Sequence, residues 1–212
     1  MNALSRSTPF SKSSVDRVPR RELERRLRQA QHRMHELEQM AFTDVLTGLR
    51  NRRYLEERLQ QEISRCRRKT GISFSVLAID VNGFKQINDT QGHQAGDRLL
   101  QLISHHLTQT LRAHDVVCRT GGDEFLVVLP DAGSAEAAAA ISRVVRGLHT
   151  LCPGSLERVS LSIGAASFPS DGSDASTLIR AADEAMYEEK RRLKAESVEA
   201  GPSAAGHEMI EL

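Results

Sequence analysis

Helical and strand periods of apolar residues alternate along this chain, and the switches between them mark its elements. From Arg20 onward, Leu23, Leu27, Ala30, Met34, Leu37 and Ala41 recur at alternating steps of four and three, with Arg, Glu and Gln filling most positions between them. That heptad seam predicts a stalk helix over residues 20–42. Its stripe is narrower than a core-facing helix needs, so self-association, parallel or antiparallel, is favoured over folding back on its own domain. A polar break over residues 44–53 ends the stalk, and Asn51 is placed to cap a helix whose apolar face is Tyr54, Leu55, Leu59, Ile63 and Cys66. Residues 74–79 form a nearly unbroken apolar run before Asp80, the pattern of a central strand. Residues 80–89 are rich in turn formers and read as a loop, leading past Gly92 and Gly96 into a helix from about Asp97 to Arg112. Two short apolar runs, 116–119 and 125–129, flank Gly121 and Gly122 and predict a β-hairpin, because glycine enters the φ > 0 conformations of tight turns without steric cost. Ser134 opens an alanine-rich helix running to about His149. Residues 159–165 alternate as a strand with one buried face, and a last helix begins near Ser173 or Ser176. Strands joined both by helices and by a tight hairpin predict an α/β (α+β) fold with a mixed, largely antiparallel central sheet and flanking helices.

Composition narrows the picture. With 39% hydrophobic residues, 212 positions support one sizeable core, assigned to residues 43–194, while the Ser- and Arg-rich leader over 1–19 and the small, polar tail over 195–212 are expected to be disordered. Basic and acidic residues nearly balance, 29 against 28, which removes any global electrostatic case for nucleic acid or an anionic membrane. Cys66, Cys118 and Cys152 are odd in number, far apart and without zinc spacing, as suits a reducing compartment. No run approaches membrane-spanning length and the N-terminus lacks the apolar core of a signal peptide, so the expected location is cytoplasmic.

Charge therefore has to be read locally. Asp80 ends the first strand run, and Asp123 and Glu124 sit in the glycine hairpin. If the two runs are sheet neighbours, these carboxylates converge at one edge, where crowded acids repel unless a divalent cation neutralises them. Mg²⁺ binds through a few carboxylates plus substrate phosphates, which implies a nucleoside triphosphate and phosphoryl or nucleotidyl transfer. Lys85 and the basic end of the last helix, Lys190-Arg191-Arg192-Leu193-Lys194, can take up phosphate charge. Backbone N–H groups of Gly83 and Phe84 can cradle phosphate oxygens, and bare backbone at Gly121 and Gly122 leaves room for a bulky ligand. Asn88 and Asp97 offer amide and carboxylate edges that suit a guanine. Each residue alone has a plainer reading, as a loop cap, a turn former or a compensated helix end.

The motifs Asp44-Val45-Leu46-Thr47-Gly48-Leu49 with Asn51-Arg52-Arg53, the block from Asp80 closing on Gly92-His93-Gln94-Ala95-Gly96-Asp97, Gly121-Gly122-Asp123-Glu124-Phe125, Ser162-Ile163-Gly164 and Ala182-Asp183-Glu184-Ala185-Met186-Tyr187 running to Lys190 follow in that order. Residues 42–194 thereby resemble a GGDEF diguanylate cyclase domain. The resemblance implies a palm-like cyclase fold and condensation of two GTP into cyclic di-GMP with release of pyrophosphate. By position, Asp80, the Val81 carbonyl and Asp123 would bind Mg²⁺, with Mn²⁺ as an alternative. Glu124 would assist the metal site or deprotonation of the attacking hydroxyl. Asn88 and Asp97 would read guanine, while Gly83, Phe84, Lys85, Lys190 and Lys194 would meet the phosphates. Arg112-Ala113-His114-Asp115 matches the family's RxxD product-inhibition motif, read as an exposed Arg and Asp, and Arg143 falls at a secondary contact. Two half-sites must meet, which gives the stalk a purpose as a homodimer seam. A regulatory protein on the stalk is a further expected partner. Two departures stand out: Asn82 where the family often has Asp, and Leu193-Lys194 where Gly-Arg is common. The alternative function is a catalytically weak module that binds GTP or cyclic di-GMP and signals through its coiled coil.

Overall fold

The computed structural model of the chain describes residues 19–151 and 159–199. Most of the leader, the end of the tail and Cys152 lie outside the described residues. The chain divides into two compact units between Met40 and Ala41. In the first, α1 (Arg20–Phe42) carries Leu23, Leu27, Met34 and Leu37 exposed along one stripe, and pairs Arg20 with Glu24 and both Arg25 and Arg26 with Glu22 along its own surface.

The second unit is built around β2 (Phe74–Asn82), which pairs antiparallel with β4 (Glu124–Pro130) on one side and β5 (Ser160–Phe168) on the other. β3 (Val116–Gly121) adds outside β4, and the short β1 (Arg50–Asn51) pairs parallel to β3, giving the order β1-β3-β4-β2-β5. α3 (Phe84–Gln91), α4 (His93–Thr110) and α5 (Ser134–Leu151) cover one face, where Leu77, Ile79 and Val81 meet Leu99, Ile103 and Val144. α2 (Arg52–Arg68) and α6 (Ala175–Glu199) cover the other, where Val76 and Ala78 meet Leu55, Leu59 and Leu178. A strand enclosed on both faces has no polar face to alternate with, which is why residues 74–79 read as an unbroken apolar run.

Several expected boundaries move. β2 continues through Asp80 to Asn82, because β4 pairs with it as far as Asp80 and β5 as far as Asn82. The expected loop over residues 80–89 is mostly α3. Its turn formers act at its ends, where Gly83 (φ 77°) and Gly92 (φ 83°) take left-handed conformations. Gly96 lies inside α4 and is small for a packing reason, since a Cβ there would fall 2.0 Å from Asn88 Oδ1. β5 is buried on both faces rather than one, with α5 and α6 on opposite sides; a Cβ on Gly164 would sit 2.1 Å from the Met186 backbone nitrogen. Helix α6 carries the chain through residues 195–199, five positions into the expected disordered tail.

Candidate active site

The site grows from the C-terminal end of β2. Asp80 lies in register with Glu124 of β4 and Ser162 of β5, on the α2 and α6 face of the sheet. It is 8% exposed, and a carboxylate so enclosed requires a counter-charge. Lys190 supplies it from α6, with Nζ 2.7 Å from Asp80 Oδ1. Val81 N–H donates to the Asp123 carbonyl at 3.3 Å, so the turn of the hairpin is tied to the end of β2. Asp123 is half-buried and Glu124 exposed. Sequence reasoning thus brought together groups that the sheet does place at one edge.

The hairpin tip is held from outside the sheet. Gly121 (φ 157°) and Gly122 (φ 49°) turn the chain, and a Cβ on either would meet nothing within 4 Å, so the backbone there is open to a ligand. Arg119 donates to the Gly122 carbonyl from Nε (3.0 Å) and Nη2 (2.8 Å), while its Nη1 reaches Asp44 Oδ1 at 3.0 Å. Asp44 also accepts from the Thr47 backbone N–H and hydroxyl. Burial alone would push the Asp44 carboxyl up, but the Thr47 and Arg119 hydrogen bonds outweigh it and hold the group below its ordinary range. The segment joining the stalk to the domain therefore anchors the hairpin, a tie that its reading as a polar break and a family motif did not include. The Asp-x-x-Thr spacing, which lets a carboxylate close its own turn, was the available signal.

Past β2, Gly83 and Phe84 open α3, with Lys85 exposed one residue on. Asn88 sits one turn later, and its Oδ1 is a buried oxygen without a hydrogen-bond partner. An orphaned buried acceptor is costly and is suited to a ligand N–H. Asp97 is exposed on the adjacent α4, and Lys194 is exposed one turn beyond Lys190. Among the described residues no group of three or more acidic, His or Cys side chains stands assembled as a metal cage. What is present, carboxylates and a backbone carbonyl around an enclosed Asp80, fits a cation that takes one or two carboxylates and completes its shell with waters and phosphates.

Comparison with known proteins agrees with this arrangement. The model of the family described as diguanylate cyclase, GGDEF domain, matches residues 41–196. The chain belongs to the GGDEF diguanylate cyclase family. It is 45% identical over 153 residues to diguanylate cyclase DosC of Escherichia coli, covering 70% of this chain and 33% of that protein. It is 39% identical over 161 residues to response regulator PleD of Caulobacter vibrioides, covering 74% and 35%. The chain thus spans about a third of the length of the curated relatives it matches. Among solved structures, diguanylate cyclase SiaD of Pseudomonas aeruginosa, in complex with its activator SiaC, is 34% identical with a TM-score of 0.68, covering 81% of this chain and 66% of that one. The coiled coil and GGDEF domain of DgcB from Caulobacter crescentus, in complex with c-di-GMP, shares the fold at 21% identity, with a TM-score of 0.72 and coverage of 81% and 92%.

In this GGDEF domain the RxxD residues occupy the turn between α4 and β3. Arg112 is exposed, but Asp115 differs from the expectation of an exposed pair. Its side chain is 3% exposed, and Oδ2 accepts from the Arg112 backbone N–H at 2.8 Å. A short turn leaves that N–H without a ladder partner, and the nearest carboxylate takes it. Arg143 is half-buried on α5. The neighbouring Val144 carbonyl accepts from Nε2 of buried His106 on α4 at 2.8 Å, which fixes the spacing of the two helices. No helix among the described residues is long and apolar enough to cross a membrane.

Proposed function

We propose that this chain condenses two GTP molecules into cyclic di-GMP, releasing pyrophosphate, as an Mg²⁺-dependent homodimer whose half-sites are brought together by the stalk. The observation that carries the reading is Asp80, enclosed near the end of β2 between the hairpin acids and Lys190. A divalent cation held by Asp80, the Val81 carbonyl and Asp123 would polarise the reacting phosphate and ease deprotonation of the attacking 3′-hydroxyl, and Mn²⁺ suits the same donors. Glu124, exposed beside them, stands where it can assist either the cation or the proton. Lys85, Lys190 and Lys194 offset triphosphate charge, with backbone N–H groups of Gly83 and Phe84. Asn88 Oδ1 and Asp97 accept from the N–H edge of guanine, and the open backbone at Gly121 and Gly122 lets the nucleotide lie against the hairpin.

Each domain holds one GTP, so reaction needs a second copy facing it. In the heptad, Arg26 and Arg33 occupy g positions and Gln31 an e position. A fully overlapping antiparallel pair would set Arg33 against Arg33 of the second copy, whereas a parallel pair sets Arg26 against Gln31, so charge favours the parallel arrangement. The same exposed seam is where a regulatory protein would act. Arg112, Asp115 and Arg143 are the groups for a product-inhibition site, Arg112 being ready to meet phosphate or guanine and Asp115 needing to turn out of its loop. Turnover measured against protein concentration, with and without residues 1–40, tests the dimer. The full chain should keep its specific activity on dilution, while the truncated chain should lose it in proportion to concentration. Equal dilution behaviour would remove the role of the stalk. Nucleotide binding without turnover at concentrations that dimerise the chain would favour a receptor instead.

A further inference from the structure

The groups assigned to metal and phosphate alternate around one residue that has no such role. Asp80 and the Val81 carbonyl precede Asn82, and the N–H groups of Gly83 and Phe84 follow it. Asn82 ends β2, and both its amide nitrogen and its amide oxygen are engaged across the sheet. Nδ2 donates to Ser160 Oγ at 2.9 Å, and Oδ1 accepts from Ser162 Oγ at 3.0 Å. Ser160 is its direct partner in the β2–β5 register, while Ser162 is the diagonal neighbour that lies opposite Asp80. Ser162 is fully buried, and the next residue, Gly83, leaves the strand at φ 77°. The chain must turn sharply there, with α3 starting at once and β4 already ended on the other side. The last backbone units of β2 are therefore held on the β5 side by two side-chain hydrogen bonds.

We propose that Asn82 is a positioning residue, and that the Ser160–Asn82–Ser162 clamp fixes the peptide units from Val81 to Gly83 in the conformation that receives the nucleotide's phosphates. The proposal rests on the phosphate-loop reading given above. It also accounts for Asn at this position. Serine hydroxyls donate as well as accept, so an aspartate here could take a hydrogen bond from each serine and keep the clamp, whereas alanine or leucine could not. Asn82 is then an equivalent clamp rather than a lost metal ligand.

Steady-state kinetics on the full chain at saturating Mg²⁺, with equilibrium binding of a non-hydrolysable GTP analogue, separate this role from general destabilisation. Asn82→Ala should raise KM for GTP and the analogue Kd about fivefold, with kcat within about twofold, as expected for losing hydrogen bonds that orient a binding loop. Asn82→Asp should restore both to within about twofold of the native values, which general loss of folding would not permit. The Ser160→Ala/Ser162→Ala pair should match Asn82→Ala, and adding Asn82→Ala to that pair should change nothing further, because the three groups act as one unit. Multiplying effects, or an unchanged KM in Asn82→Ala while Lys85→Ala raises it, would overturn the clamp. Unchanged KM in both Asn82→Ala and Lys85→Ala would overturn the phosphate-loop reading and the clamp with it.

Discussion

Two buried carboxylates, Asp80 and Glu62, meet their counter-charges in different ways. Glu62 of α2 is gripped within its own helix by Arg58 Nη2 at 2.6 Å and Arg65 Nε at 2.9 Å, and Arg65 also holds Asp131 through two nitrogens. Planar guanidinium groups fix that geometry, and each carboxylate oxygen has its own arginine. Asp80 is met by one lysine from 110 residues away, whose flexible side chain is 43% exposed at the open end of the sheet. An ammonium on a mobile stem can exchange for a metal ion or move to a phosphate; a carboxylate with each oxygen held by a guanidinium is far less exchangeable. Burial of an acid does not by itself mark a site, and the exchangeability of its partner is what distinguishes the two.

The comparison breaks most visibly by neutralising each acid in turn. Asp80→Asn should lower cyclic di-GMP synthesis at least about a hundredfold, the scale of losing a metal ligand, while urea midpoints stay near those of the native chain. Glu62→Gln should do the reverse, costing about 3 kcal/mol in urea unfolding because two arginines lose their buried partner, with activity largely kept in the folded fraction. A catalytic collapse in Glu62→Gln without unfolding would erase the distinction. Lys190→Met should raise KM for GTP about tenfold, the effect of one charge-assisted contact, measured by initial rates.

Much of this was legible in the sequence because the strongest local signals agree with the fold. Residues 74–79 read as a central strand, and the Gly-Gly pair between apolar runs as a tight turn. The convergence of Asp80 with Asp123 and Glu124 followed from placing those runs side by side. What stayed hidden depends on pairings that no local pattern encodes. The extension of β2 to Asn82 is set by partners on β4 and β5, and α3 is masked by residues that serve its ends. The Asp44–Arg119 tie spans 75 positions, and the burial of Asp115 follows from the shape of one turn.

Smaller effects sharpen the contrast between exchangeable and committed charges. Asp44 is a committed carboxylate, and its folded-state pKa lies below the ordinary value. Its contribution is therefore fully present above the ordinary carboxylate range and is lost as pH falls through the lowered folded value. Asp44→Asn should cost about 1–2 kcal/mol in urea unfolding at pH 7, and the difference from the native chain should shrink as the measurement moves below about pH 4. Smallest of all, burial pushes the Cys118 thiol up to about 12 and raises that of Cys66. Neither should be alkylated by iodoacetamide at neutral pH in the folded chain, on a timescale that labels both in urea, as mass spectrometry of the digested protein would report.

In the proposed reaction, the acids gathered at the end of β2 and in the hairpin turn GTP into cyclic di-GMP. The most direct test is product formation from GTP and Mg²⁺ by the native chain beside Asp123→Ala, with both shown to be folded. Cyclic di-GMP and pyrophosphate are expected from the native chain and none above background from the variant. Full turnover by folded Asp123→Ala, or none by the native chain at concentrations where it is dimeric, would contradict it.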